Sequence, residues 1–290
     1  MNTAKRKKPS RLPRLAVLLA ALAVAAGLFL WWQQTAIQTE TISVSSPRLP
    51  AAFDGLRIAL ISDVHGARFG PDNGELLAAV AGLEPDLIAV TGDLVDRFRA
   101  DLSGVETLAR GLTAVAPTYY VTGNHEWSLG TGAVRDLKEL LTACGVTVLS
   151  NQYLTLEREG QTMALAGIDD PNGYADQKTL PQLMDELRGE LGDPFVLLLA
   201  HRNDDYPLYE RCGVDVTLCG HGHGGIVRLP FTDGLLDTDR TLFADHSAGL
   251  YQLDPGQLVV SRGLGSSGPS LRVFNRPHLP LVVLHAASNP

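Results

Sequence analysis

The sequence predicts an α/β fold, a β-sandwich with helices packed on its outer faces, and three observations lead there. Five short apolar runs rich in β-branched residues lack the polar–apolar alternation of a half-solvated sheet, so each reads as a strand buried on both faces. Helix-like stretches lie between them, which makes the class α/β. Two regions, Val146 to Ile168 and Leu242 to Leu284, carry strand after strand with no helix between.

The five runs are Leu56–Ile61, Leu87–Val90, Tyr119–Val121, Phe195–Ala200 and Val214–Cys219. Glu75–Gly82 and Ser103–Ala116 read as helices before the second and third runs. Gly132–Cys144 follows the third, and Leu180–Leu191 precedes the fourth. Val146–Leu149, Leu154–Arg158 and Thr162–Ala166 are short strands between turn residues.

Before all of these stands an unbroken apolar run, Leu15 to Trp32. Its 18 residues span about 27 Å as a helix, enough for the hydrocarbon core of a bilayer. Lys5, Arg6, Lys7, Lys8, Arg11 and Arg14 precede it and the first acidic residue is Glu40, so the positive-inside rule holds the N-terminus in the cytoplasm. A cleaved signal peptide is the rival, since Ala21-Leu22-Ala23 and Ala23-Val24-Ala25 are small-residue sites, but the apolar run continues past both. The organisation is therefore a basic segment (1–14), a signal-anchor helix (15–32), a connector (33–54) that runs as an extended strand, and a catalytic domain (55–286). The expected location is a cell membrane, single-pass, with the domain extracytoplasmic.

With those six set aside, 18 basic residues remain against 32 acidic, a balance of -14. Such a domain repels nucleic acid, and no basic, aromatic-lined groove argues for a nuclease. Cys144, Cys212 and Cys219 form no C-x-x-C pair, which excludes a zinc ribbon; they read as buried small hydrophobes, with a Cys212–Cys219 disulfide left open.

Each apolar run ends in metal-capable residues. Asp63 and His65 follow the first, Asp93 and Asp96 the second, and Asn124, His125 and Glu126 the third. His201 follows the fourth, and His221 and His223 the fifth. Ligands of open α/β sheets gather outside the carboxyl ends of the strands, so five loops would converge. Glycines at 92, 123, 220, 222, 224 and 225 leave room for an ion and a phosphate. Oxygen and imidazole donors without thiolate suit manganese, iron or zinc.

Asp-x-His, Gly-Asp, Gly-Asn-His-Glu, a lone His and Gly-His-x-His, in that order over roughly residues 55–285, resemble the calcineurin-like metallophosphoesterase superfamily. Gly167-Ile168-Asp169-Asp170 and Ser261-Arg262-Gly263-Leu264-Gly265 resemble secondary landmarks of its membrane-anchored, phosphodiesterase-like branch. The resemblance implies a four-layer α/β/β/α sandwich and a binuclear hydrolase with two divalent ions (Mn, Fe or Zn). It implies that Asp63, His65 and His223 hold one ion and Asn124, His201 and His221 the other, with Asp93 bridging. His125 would stand beside the leaving group, oriented by Asp96. Two positions depart from the branch: Gly222 where Thr is usual, and Ile226 where Gln is usual. Asp169, Asp170, Asp204 and Asp205 read as loop or cap residues, and Arg202 and Asn203 as candidates to line the substrate groove. The expected substrate is a phosphodiester or phosphomonoester, with the anchor pointing to a phospholipid, a lipid-linked nucleotide or a cell-envelope ester. A non-catalytic metal-binding or sensor module is the alternative, against which the intact donor set argues; nothing suggests docking of a phosphoprotein.

Overall fold

A computed structural model describes residues 12–98, 101–225, 227–228, 234–236, 246–267 and 271–287. Most of the basic N-terminal cluster, Ile226 and the first residues of the strand-like tail fall outside the described residues. Helix α1 (Leu12–Thr35) leads into strand β1 (Gln38–Ser46). Then come β2 (Arg57–Ile61), α2 (Gly74–Gly82), β3 (Leu87–Thr91), α3 (Ser103–Val115), β4 (Thr118–Val121), α4 (Asn124–Ser128), α5 (Thr131–Ala143) and β5 (Thr147–Val148). The second half holds β6 (Gln152–Arg158), β7 (Gln161–Gly167), α6 (Leu180–Leu191), β8 (Val196–Leu199), α7 (Tyr206–Arg211) and β9 (Val216–Cys219). It closes with β10 (Val227–Arg228), β11 (Gly234–Leu236), β12 (Gly249–Gln252), β13 (Gln257–Val260) and β14 (His278–Ala286).

Two six-stranded sheets form, in the orders β1-β14-β2-β3-β4-β5 and β12-β13-β9-β8-β7-β6. Within the first, β2, β3, β4 and β5 run parallel; within the second, β7, β8, β9 and β13 do. Strand periodicity sorts the residues into layers. Ile58 and Leu60 of β2 point inward to meet Met163, Leu165, Leu197, Leu199, Val216 and Leu218 of the other sheet. Ala59 and Ile61 point outward, under Leu76 and Val80 of α2 and Leu108 and Leu112 of α3. On the far side, Val196 and Leu198 carry Leu183 and Leu187 of α6. The architecture is the four-layer α/β/β/α sandwich. Truncating a central side chain such as Leu60 or Leu197 to alanine should cost about 2–5 kcal/mol, the usual range for a fully buried leucine.

Local chemistry sets the helix limits. Thr179 and Gln182 form a capping box at the start of α6, Pro181 sits in its first turn, and Gly192 follows its last residue at φ +80°. Short α4 and α7 lack the length for a periodic signal and were not expected. Of the expected connector only Gln38–Ser46 is an extended strand, residues 33–35 continuing α1: β1 pairs with β14 in parallel from Gln38↔His278 to Ser46↔Ala286, forming an edge of the first sheet. All three cysteines are free and buried.

Candidate metal centre

The carboxyl ends of β2, β3, β4, β8 and β9 meet along one rim of the sandwich. Asp63, Asp93 and His201 are at most 1% exposed. Asp63, His65, Asp93, His221 and His223 all lie in the left-handed region, with φ between 49° and 67°. Such backbone is uncommon for non-glycine residues and collects at functional sites.

Two pockets share one carboxylate. In the first, His65 Nε2 lies 3.1 Å from His223 Nε2 and 3.9 Å from Asp63 Oδ1, which is 3.6 Å from His223 Nε2. In the second, His201 Nε2 lies 3.0 Å from Asn124 Oδ1 and 3.2 Å from His221 Nδ1. Asp93 Oδ2 stands between, 3.6 Å from His65 Nε2 and 3.3 Å from His201 Nε2.

The surrounding bonds hold these atoms in place. Asp93 Oδ1 accepts the His125 backbone N–H at 2.9 Å, which leaves Oδ2 to the pockets. The Asp63 carboxylate accepts the His221 N–H. His201 Nδ1 pairs with the Thr91 carbonyl at 2.7 Å, so its Nε2 is the nitrogen that faces the pocket. Glu126 acts as a clamp: Oε2 accepts N–H from Asp93 and Gly123, and Oε1 from Leu94 and Val95. Burial and the nearby Asp93 push the Glu126 pKa up, but every group facing its oxygens is an N–H donor, the geometry of a carboxylate. Glycine is required at two close approaches: a Cβ on Gly123 would overlap the Asp93 carboxylate, and one on Gly220 would overlap Ser62 and Asp63.

The donor set fits cations. Burial, with like-charge repulsion from its neighbours, pushes His65 and His223 down to about 3, and holds His221 well below its ordinary value. Three imidazoles are thus kept neutral, the ligating form. Burial opposes charging His201 too, but the Asp93 carboxylate overrides it and lifts His201 to about 10. Burial favours a neutral Asp93, yet His201 and His65 hold its carboxyl well below the usual range. The cation-free pocket therefore retains a proton to balance Asp93, a positive charge that a metal would replace.

His125 lies with its Nε2 4.0 Å from Asp93 Oδ2, and its Nδ1 accepts the Arg97 N–H at 3.1 Å. Asp96 Oδ2 is 3.8 Å from that Nδ1, beyond hydrogen-bond reach, and 3.7 Å from His65 Nδ1. Both Asp96 Oδ2 and His65 Nδ1 are buried without another partner. Arg202 pairs with Asp170 at 2.8 Å and brings its guanidinium 3.4 Å from His221 Nε2. Asn203 is buried and donates to the His246 carbonyl; a Cβ at Gly222 would press on its side chain. Asp169 and Asp170 lie in the loop after β7, as expected, but are buried ion-pair partners there: Asp169 accepts from Thr122 Oγ1 and Lys138 Nζ, each at 2.7 Å. A cavity of about 260 Å³ opens beside His201 and Arg202, lined also by Tyr174, Lys178 and Tyr209.

Such a fold, with imidazoles and carboxylates gathered at its strand ends, defines a candidate site for divalent cations. The chain belongs to the calcineurin-like phosphoesterase family, which its residues 56–225 match. It is 30% identical to the uncharacterised metallophosphoesterase YkuE of Bacillus subtilis, over 97% of this chain and 100% of that one. It is also 30% identical to the phosphodiesterase YaeI of Escherichia coli, over 79% of this chain and 82% of that one. A Bos taurus transmembrane protein with a metallophosphoesterase domain is 30% identical over 98% of this chain and 64% of its own length.

Proposed function

We propose that the chain is a two-cation hydrolase of phosphate esters, anchored in a membrane by α1 with its site outside the cytoplasm. The observation that carries the reading is Asp93 Oδ2, within 3.6 Å of a histidine nitrogen from each pocket. Asp63, His65 and His223 would hold one cation, Asn124, His201 and His221 the other, and Asp93 both; manganese, iron and zinc suit these donors. The cations would supply Lewis acidity, activating water and offsetting charge on the phosphate oxygens.

The chain's own groups supply the rest. His125 Nδ1 accepts a backbone N–H, so a neutral ring carries its proton on Nε2, on the side of Asp93. That proton is placed for donation to a departing alkoxide, help typically worth about 10²–10⁴ in rate. Asp96 suits a different task from the one expected of it. Its unpartnered oxygen and the unpartnered His65 Nδ1 satisfy one another after a small side-chain rotation, orienting His65 as a ligand. Arg202, held by Asp170 at the edge of the cavity, is placed to contact the ester beyond the scissile phosphate.

Helix α1 supports a substrate at the bilayer, a phospholipid or a lipid-linked nucleotide. Its 22 residues from Arg14 to Thr35 span about 33 Å and none is buried by the domain in its most apolar stretch. The basic residues ahead of α1 support a cytoplasmic N-terminus, and the balance of -14 beyond them disfavours nucleic acid as substrate.

The test uses the full chain in detergent, stripped by chelator and then given manganese or zinc, on bis-p-nitrophenyl phosphate and p-nitrophenyl phosphate. Hydrolysis that appears with metal and vanishes with chelator is expected, and the ratio of the two rates separates diesterase from monoesterase. A folded chain that binds two ions and cleaves neither ester points to a narrower substrate. One that binds no metal overturns the reading in favour of a non-catalytic module.

A further inference from the structure

Leu271 and Phe274 are half exposed, three positions apart, on a loop of the domain just before β14. Phe274 sits at φ +55°, a conformation strongly disfavoured for an aromatic residue. The loop thus holds a large apolar side chain out from the domain. Its neighbour is α1: the Phe274 ring lies 5.6 Å from that of Phe29. Arg276, two residues on, stacks over Trp32 at 4.5 Å and donates to the Ala36 and Ile37 carbonyls just past the end of α1. Between them, Arg272 exchanges two backbone hydrogen bonds with the Gln34 side chain, and the Asn275 N–H donates to Gln33 Oε1. Helix and loop are thus one rigid unit, not a domain on a tether.

The depth of the loop follows from that of the helix. Phe29 lies three residues before Trp32, about 4.5 Å further along the axis toward the bilayer centre. Trp31 and Trp32 occupy the position of an interfacial aromatic belt. A ring packed on Phe29 therefore lies at the belt or deeper, where the apolar side chains of Leu271 and Phe274 belong, while Arg276 stays at the level of the head groups.

We propose that the catalytic domain itself contacts the bilayer, seating Leu271 and Phe274 at the boundary between head groups and acyl chains beside α1. The inference rests on the reading of α1 as membrane-spanning and adds a second, loop-borne contact that fixes how the domain sits. Continuity with the apolar face of α1 selects lipid as the occupant over a protein partner. The contact also reaches the metal centre: Asn275, between the two apolar side chains and Arg276, donates Nδ2 to the His223 carbonyl at 2.7 Å and to the Gly225 carbonyl. The loop that enters the interface is therefore the one that braces a candidate metal ligand.

The experiment places an environment-sensitive NBD label on Phe274→Cys and, in parallel, on Leu271→Cys, Leu22→Cys in α1 and Glu139→Cys on α5 over the opposite edge of the first sheet. The native cysteines are buried, so labelling is confined to the new thiol. Each full chain, checked for folding by circular dichroism, is placed in phosphatidylcholine vesicles with and without nitroxide-labelled lipid. The inference predicts loss of fluorescence at 22 and at 271 or 274, and none at 139. Loss at 22 with none at 271 and 274 overturns the loop contact and leaves the anchor standing. No loss at 22 overturns the membrane reading as well. Loss at 271 and 274 that appears without nitroxide lipid, on raising protein concentration, assigns the patch to a second copy of the chain and overturns lipid as the occupant.

Discussion

Glu126→Gln is the perturbation that isolates the clamp behind the metal centre. The substitution keeps side-chain volume, so it opens no cavity. The carboxylate accepts four backbone N–H groups, two at each oxygen. An amide offers one oxygen, and whichever way it turns, its NH₂ faces two N–H donors. Two buried donors lose their acceptors, at about 1–3 kcal/mol each, or about 2–6 kcal/mol together. Against a net stability of about 5–15 kcal/mol for a typical domain this is a large fraction. The damage falls on the Asp93 loop, because the Asp93 N–H is one of the pair at Oε2. Urea unfolding in detergent, followed through the buried Trp127 next to the mutated residue, should show a lower midpoint with an unchanged slope. Metal content by mass spectrometry should fall in parallel. An unchanged midpoint with full metal content would refute the clamp.

Three further outcomes follow from the same geometry. Asp93→Asn removes the charge shared by both pockets and should lose both ions with all turnover; retained metal contradicts the shared role. His125→Ala should keep its ions and lose about 10²–10⁴ in rate, as expected for a positioned proton donor, and full activity overturns that assignment. Cation binding at pH 8 should release a proton, because His201, lifted to about 10, is charged in the cation-free chain and must be neutral to ligate; calorimetry in two buffers of different ionisation enthalpy reads this directly, and no buffer dependence refutes it. The same shifts fix the pH window of the cation-free fold. His65 and His223, depressed to about 3, contribute stability that is present above 6.5 and lost as pH falls, whereas the His201 contribution is present below 6.5 and lost as pH rises through about 10.

How much was legible depended on how far each signal travels along the chain. The buried strands could be read from their composition, and with them the loops where Asp63, Asp93, Asn124, His201, His221 and His223 gather. Helix α6 carries both its start signal and its stop signal within 14 residues, Thr179 to Gly192, and its limits were read without error. Helix α4 has five residues, too few for periodicity, and α7 has six. The part played by Glu126 was hidden because its acceptors serve donors about 30 positions earlier in the chain. Its only local signal is the reach back to the Gly123 N–H, the Glu of a capping box. Asp169 and Asp170 have the composition of a turn; only the fold brings Lys138 and Arg202 to them. For Asp96, the motif puts a carboxylate near two histidines: its Oδ2 lies 3.7 Å from His65 Nδ1, which has no other partner, and 3.8 Å from His125 Nδ1, which already accepts the Arg97 N–H.

Strain explains why these donors sit just beyond the strands and not within them. Left-handed backbone at a non-glycine residue costs on the order of 1–3 kcal/mol, and five of the seven candidate ligands adopt it. Summed, that approaches the whole net stability of a domain, so the loops could not hold this shape alone. They are held on one side by parallel strands whose side chains are buried on both faces, and on the other by bonds between loops: Asp63 N–H to Gly92, His65 N–H to Asp93, His125 N–H to the Asp93 carboxylate and the Glu126 clamp. Each loop is thereby fixed by its neighbours, and a cation bound to all of them would add stability to the folded state alone. The loop before β14 enters the same web through Asn275, whose own N–H is held by Gln33 of α1. Helix α1, the loop before β14 and the candidate metal ligands are thus mechanically continuous, and a substitution at Gln33 should reach the site through Asn275.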